Sequence, residues 1–106
     1  LESDQMLNQQ KAAEAEYNQY VSAGDRMMES KEYDKANEKY NLAIALRPDE
    51  QYPRAKLREI EQIILAQEKI VQENYDKLIA VADSYFNKQE YDQAKINYQN
   101  ALKNKP

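Results

Sequence analysis

Tyr33-Asp34-Lys35-Ala36-Asn37-Glu38-Lys39-Tyr40-Asn41-Leu42-Ala43 returns 58 residues later as Tyr91-Asp92-Gln93-Ala94-Lys95-Ile96-Asn97-Tyr98-Gln99-Asn100-Ala101. What survives between the copies is a packing pattern. Small residues at Ala36, Ala43, Ala94 and Ala101 let two helices approach closely, and Tyr40 and Tyr98, one turn after Ala36 and Ala94, fill the space beside each crossing. Outward from this core the match takes in Tyr17 with Tyr75, Gly24 with Ala82, Asp25 with Asp83, and Pro48 with Pro106. Residues 1–48 laid over 59–106 share 12 identities, and Leu7/Leu65, Gln9/Gln67 and Lys11/Lys69 lie ahead of the obvious motif. The repeating unit is therefore the full 58 residues, and a repeat of this kind builds a surface rather than a reaction centre.

Composition fixes the class. The 106 residues include a single glycine, no threonine, and valine only at 21, 71 and 81, while Ala, Glu, Lys, Gln and Leu abound. That favours helix throughout and leaves little material for strands. At this length one small core is adequate without being generous. The net charge of −4 is concentrated in residues 1–30, which carry six acids and two bases against thirteen of each in the remainder. A phosphate backbone needs clustered Lys and Arg. The densest basic group, Arg54, Lys56 and Arg58, is followed at once by Glu59 and Glu61, so the expectation is no nucleic acid partner.

The absence of cysteine removes disulfides and thiolate chemistry and leaves the redox compartment open. Leu1 to Lys11 has no apolar signal-peptide core, and no window reaches the roughly 18 apolar residues of a membrane span. The expectation is no membrane insertion. The chain begins inside one repeat and ends on the proline of another, and reads as a fragment of a longer protein in which 1–106 is one module, with units 17–48 and 75–106 joined by a helical segment at 50–74.

The pattern predicts four helices. The first runs from about residue 4, with Ser3 as its cap, to residue 30; a tight turn at Ser30 to Glu32 leads to the second, Tyr33 to Leu46, which Pro48 ends. A third begins near Tyr52 with Pro53 in its first turn and continues to Asn87, with a break between Gln67 and Glu73 as the alternative because apolar residues thin out there. The fourth, Tyr91 to about Lys103, copies the second.

At these residues the chain resembles the tetratricopeptide repeat family. Tyr20, Gly24, Tyr33-Asp34-Lys35-Ala36, Tyr40, Ala43 and Pro48 fill its motif once, and Leu78, Ala82, Tyr91-Asp92-Gln93-Ala94, Tyr98, Ala101 and Pro106 fill it again. The resemblance implies an all-α, antiparallel helix-turn-helix array, here with one long central helix. Ordinary members repeat about every 34 residues, whereas this chain inserts about 24 more, beginning Glu50-Gln51-Tyr52-Pro53. That extended form resembles repeats of large bacterial cell-envelope proteins, which favours periplasm or envelope over cytoplasm.

The family's ligands lie along the first helix of each unit. Carried over, this face comprises Asn18, Val21, Asp25, Met28 and Glu29, then Asp76, Ile79, Asp83, Phe86 and Asn87. It is acidic with apolar spots, which suits a basic or apolar peptide or protein. The rival reading is an architectural helical spacer with no ligand of its own. Eight of the nine tyrosines sit at or near motif positions and read as packing residues; Tyr52 has no evident slot. Carboxylate pairs such as Asp25 and Glu29 read as surface charge rather than a metal site, no cofactor is implied, and no histidine exists to build an acid/base pair. The stripe Ile60, Ile63, Ile64, Ile70 and Val71 reads as buried packing of a long helix rather than a membrane-lying face. Apolar surface at repeat ends cut from their neighbours predicts self-association.

Overall fold

The computed structural model describes residues 2–105 and is helical: α1 (Glu2–Glu29), α2 (Tyr33–Leu46), α3 (Gln51–Asn87) and α4 (Tyr91–Asn104), with no strand among the described residues. The chain forms two compact units, Leu1–Gln62 and Ile63–Pro106, with α3 giving residues 51–62 to the first and 63–87 to the second. Helix α1 already includes Ser3, so that residue is not its cap, and α3 continues without interruption through Gln67 to Glu73. That stretch is rich in Gln, Glu and Lys, good helix formers whose propensity carries the helix where apolar residues are sparse. Pro106, which closes the second copy of the motif, lies outside the described residues.

In the first unit α1 and α2 pack as an antiparallel hairpin. The side-chain partners show the direction: Asp25 meets Tyr40, while Tyr17, two turns earlier, meets Arg47, later in the chain. Ala36, Tyr40 and Ala43 are the buried residues of α2 and recur at i, i+4 and i+7, one helical stripe. Both alanines and the Tyr40 ring are fully buried. Residues 51–62 of α3 complete the unit, with Pro53 and Ile60 buried. Burial of an isoleucine of this kind stabilises by about 1.5–3 kcal/mol. Pro53 sits in the first turn, where a missing N–H removes no intrahelical bond. The Arg54 guanidinium donates to the Pro48 carbonyl from two nitrogens, at 3.1 and 3.0 Å, which ties the start of α3 to the end of α2.

The second unit repeats the hairpin with α3 and α4. Ala82, Ala94 and Ala101 are buried, and Tyr98 donates to Asp83 as Tyr40 does to Asp25. Even the turns correspond. Glu32 N–H donates to the Met27 carbonyl and Lys31 N–H to Met28; Glu90 N–H donates to Tyr85 and Gln89 N–H to Phe86. This is the Schellman arrangement, and it places Lys31 and Gln89 in the left-handed region at φ 60° and 65°. The acids Asp34 and Asp92 lie in the first turns of α2 and α4, where they complement the helix dipole.

Packing of the long stripe on α3 is less complete than the sequence suggests. Ile60 is buried and Ile63 and Ile64 are half-buried, but Ile70 and Val71 are exposed. Among the described residues no helix is long and apolar enough to cross a membrane.

Candidate functional site

The predicted binding face divides into two equivalent stripes, one in each unit. Asn18, Val21, Asp25, Met28 and Glu29 follow one side of the second half of α1; Asp76, Ile79, Asp83, Phe86 and Asn87 follow the matching side of α3. Asn18, Glu29, Asp76 and Asn87 are exposed at the margins, and Val21 and Ile79 are half-buried between them.

Asp25 and Asp83 are committed to the fold. In the first unit the Asp25 Oδ1 accepts from the Tyr40 hydroxyl at 2.6 Å and from the Tyr52 hydroxyl at 2.9 Å. One carboxylate thus joins α1, α2 and α3. Tyr52, which has no slot in the sequence motif, finds one here, and because its partner lies 27 residues away no local spacing announces it. Burial, then the bond to Asp25, pushes the Tyr40 hydroxyl far above its ordinary value. The same two causes, in the same order, raise Tyr52. Lys56 stands 5.6 Å from the Tyr52 ring centroid and 3.2 Å from Glu59, whose hydrogen bond raises the Lys56 pKa. In the second unit Asp83 accepts from Tyr98, and that bond raises the Tyr98 pKa. Asp76 accepts from Gln72 at 2.8 Å, and Phe86 lies edge-on to Tyr91 with centroids 5.3 Å apart.

A feature missed in the sequence lies at the far end of each hairpin. The Arg47 guanidinium stands 5.6 Å from the centre of the Tyr17 ring, and Lys105 Nζ stands 5.5 Å from that of Tyr75. Beside these pairs are two open grooves at equivalent positions. That of the first unit, about 330 Å³, is lined by Gln10, Ala13, Glu14, Leu46 and Arg47. That of the second, about 400 Å³, is lined by Ile64, Gln67, Glu68, Val71, Gln72 and Lys105, and Lys105 donates across it to Gln72. The 58-residue spacing of Tyr17/Tyr75 and Arg47/Lys105 was the available signal, but Arg against Lys is not an identity and does not stand out in an overlay.

Among the described residues no group of three acids comes together as a metal site. No buried side-chain polar atom among them lacks a hydrogen-bond partner. Comparison with protein-family models, with curated proteins and with solved structures finds no match to this chain.

Proposed function

We propose that this chain is a helical-repeat interaction module of tetratricopeptide type, which binds protein segments along the stripes of α1 and α3. The observation that carries the reading is the duplication: the same Asp–Tyr bond, small-residue crossing and turn occur 58 residues apart. A fold that spends its buried residues on holding equivalent hairpins has its variable chemistry on the outside, where Asn18, Glu29, Asp76 and Asn87 stand. Acidic margins around half-buried Val21 and Ile79 favour a basic or apolar segment. The proposed role is binding, and no residue is assigned to catalysis.

Charge reversal at Asp25 or Asp83 is a poor test, because each holds a tyrosine hydroxyl and its loss disturbs the hairpin. Glu29→Lys combined with Asp76→Lys alters the exposed margins instead. On a peptide array, the unaltered chain is expected to retain basic peptides and the double variant to lose them. Equal retention by both, or retention by neither, counts against the reading. The second outcome is what an architectural spacer gives, a reading that the uninterrupted 37-residue α3 favours.

A further inference from the structure

The two units differ in what lies over the hairpin. In the first, residues 51–62 of α3 lie over the hairpin, with the Tyr52 hydroxyl on Asp25 and Pro53 and Ile60 buried. In the second, the equivalent surface is open. Asp83 and Phe86 lie one turn apart on α3, and Tyr91, Tyr98 and Leu102 recur at i, i+7 and i+11 on α4, which puts them on one side of the second hairpin. Asp83 is exposed, Tyr98 is only half-buried, and Phe86, Tyr91 and Leu102 are 53%, 55% and 59% exposed. Their counterparts Asp25, Met28, Tyr33 and Ile44 are all half-buried, and Tyr40 is fully buried. The second unit thus keeps an apolar surface and a carboxylate that accepts one tyrosine hydroxyl where its counterpart accepts two.

We propose that this surface is a docking site for an amphipathic helix with the chemistry of residues 51–62: a tyrosine followed directly by proline, then leucine and isoleucine at the spacing of Leu57 and Ile60. The occupant is specified by the first unit, where that chemistry already covers the same surface. The tyrosine hydroxyl would donate to Asp83 beside Tyr98, and the leucine and isoleucine would cover the α4 stripe. The inference rests on the reading of the chain as an interaction module and names the partner for part of the face. The two can fail separately, because Glu29→Lys with Asp76→Lys leaves Asp83, Tyr98 and Leu102 in place.

The test extends the full chain beyond Pro106 with a second copy of residues 49–66, so that the added segment follows a proline as the original does. Tethering holds it at an effective concentration on the order of millimolar. Amide hydrogen exchange is expected to slow in the added segment on the order of ten-fold or more relative to an unstructured tail, with resonance shifts at Asp83, Tyr98 and Leu102. The same extension with its copies of Leu57 and Ile60 changed to aspartate is expected to lose both effects, and one with its copy of Tyr52 changed to phenylalanine, which leaves the Asp83–Tyr98 bond in place, to weaken them. An added segment that exchanges like a free tail and leaves those resonances unmoved overturns the proposal. So does a concentration-dependent shift of the same residues that the extension fails to suppress, which assigns the surface to a second copy of the chain instead.

Discussion

Gly24 shows how tightly the first crossing is fitted. A Cβ there would lie 2.6 Å from Tyr40 Cε1 and 2.8 Å from Cδ1 and Cζ. Tyr40 cannot swing aside, because its ring is fully buried and its hydroxyl is bonded to Asp25. Gly24→Ala therefore sets a helix-propensity gain of about 1 kcal/mol against an overlap that costs roughly 1–3 kcal/mol. The pinned ring decides the sign, and the expected outcome is a lower urea midpoint at unchanged slope. The repeat carries Ala82 at the corresponding place, in a unit whose tyrosine, Tyr98, is only half-buried. In the sequence Gly24 is legible as a motif position but Asp25 is not legible as a two-tyrosine acceptor, because Tyr52 reaches it only after α3 folds back.

At the scale of the element, the turns hold a cost that glycine would remove. Lys31 and Gln89 occupy the left-handed position that ends α1 and α3, at φ 60° and 65°, where a side chain costs roughly 1–2 kcal/mol relative to glycine's freedom. Part of that gain is offset by the greater entropy of glycine in the unfolded chain. Lys31→Gly and Gln89→Gly are each expected to raise stability by about 0.5–1 kcal/mol, measured by urea unfolding, whereas Lys31→Val is expected to lower it. The helices themselves were readable: α2 and α4 from the Ala-Tyr-Ala stripe and the closing proline, and α3 from a run free of internal breakers. The turn geometry was not, since neither Lys31 nor Gln89 belongs to the residue types that mark this position. Ser3 misled in the other direction, because a residue suited to capping is also tolerated inside a helix whose hydrogen bonds continue past it.

For the whole molecule, the tyrosines make stability a function of alkaline pH. Burial pushes the Tyr17 hydroxyl up, and burial with the Asp25 bond raises Tyr40 and Tyr52, all from an ordinary value of 10.0. Unfolded tyrosines release their protons near that value while the folded ones retain theirs. Stability from these groups is complete below pH 10 and falls as pH rises from there toward the folded values. Urea midpoints are expected to be level in this respect between about pH 7 and 9, to drop above 10, and to drop less steeply in Tyr40→Phe, with tyrosinate absorbance appearing as the chain unfolds.

The central claim is that two equivalent helix crossings, closed at Ala36 and Ala94, hold the two hairpins. Thermodynamic comparison of Ala36→Leu and Ala94→Leu with Asn37→Leu and Lys95→Leu tests it most directly, since the first pair is buried and the second, one residue on, is exposed. The account predicts a loss of roughly 1–3 kcal/mol for each alanine variant and a change within about 0.5 kcal/mol for each neighbour. Alanine variants as stable as their neighbours would contradict it.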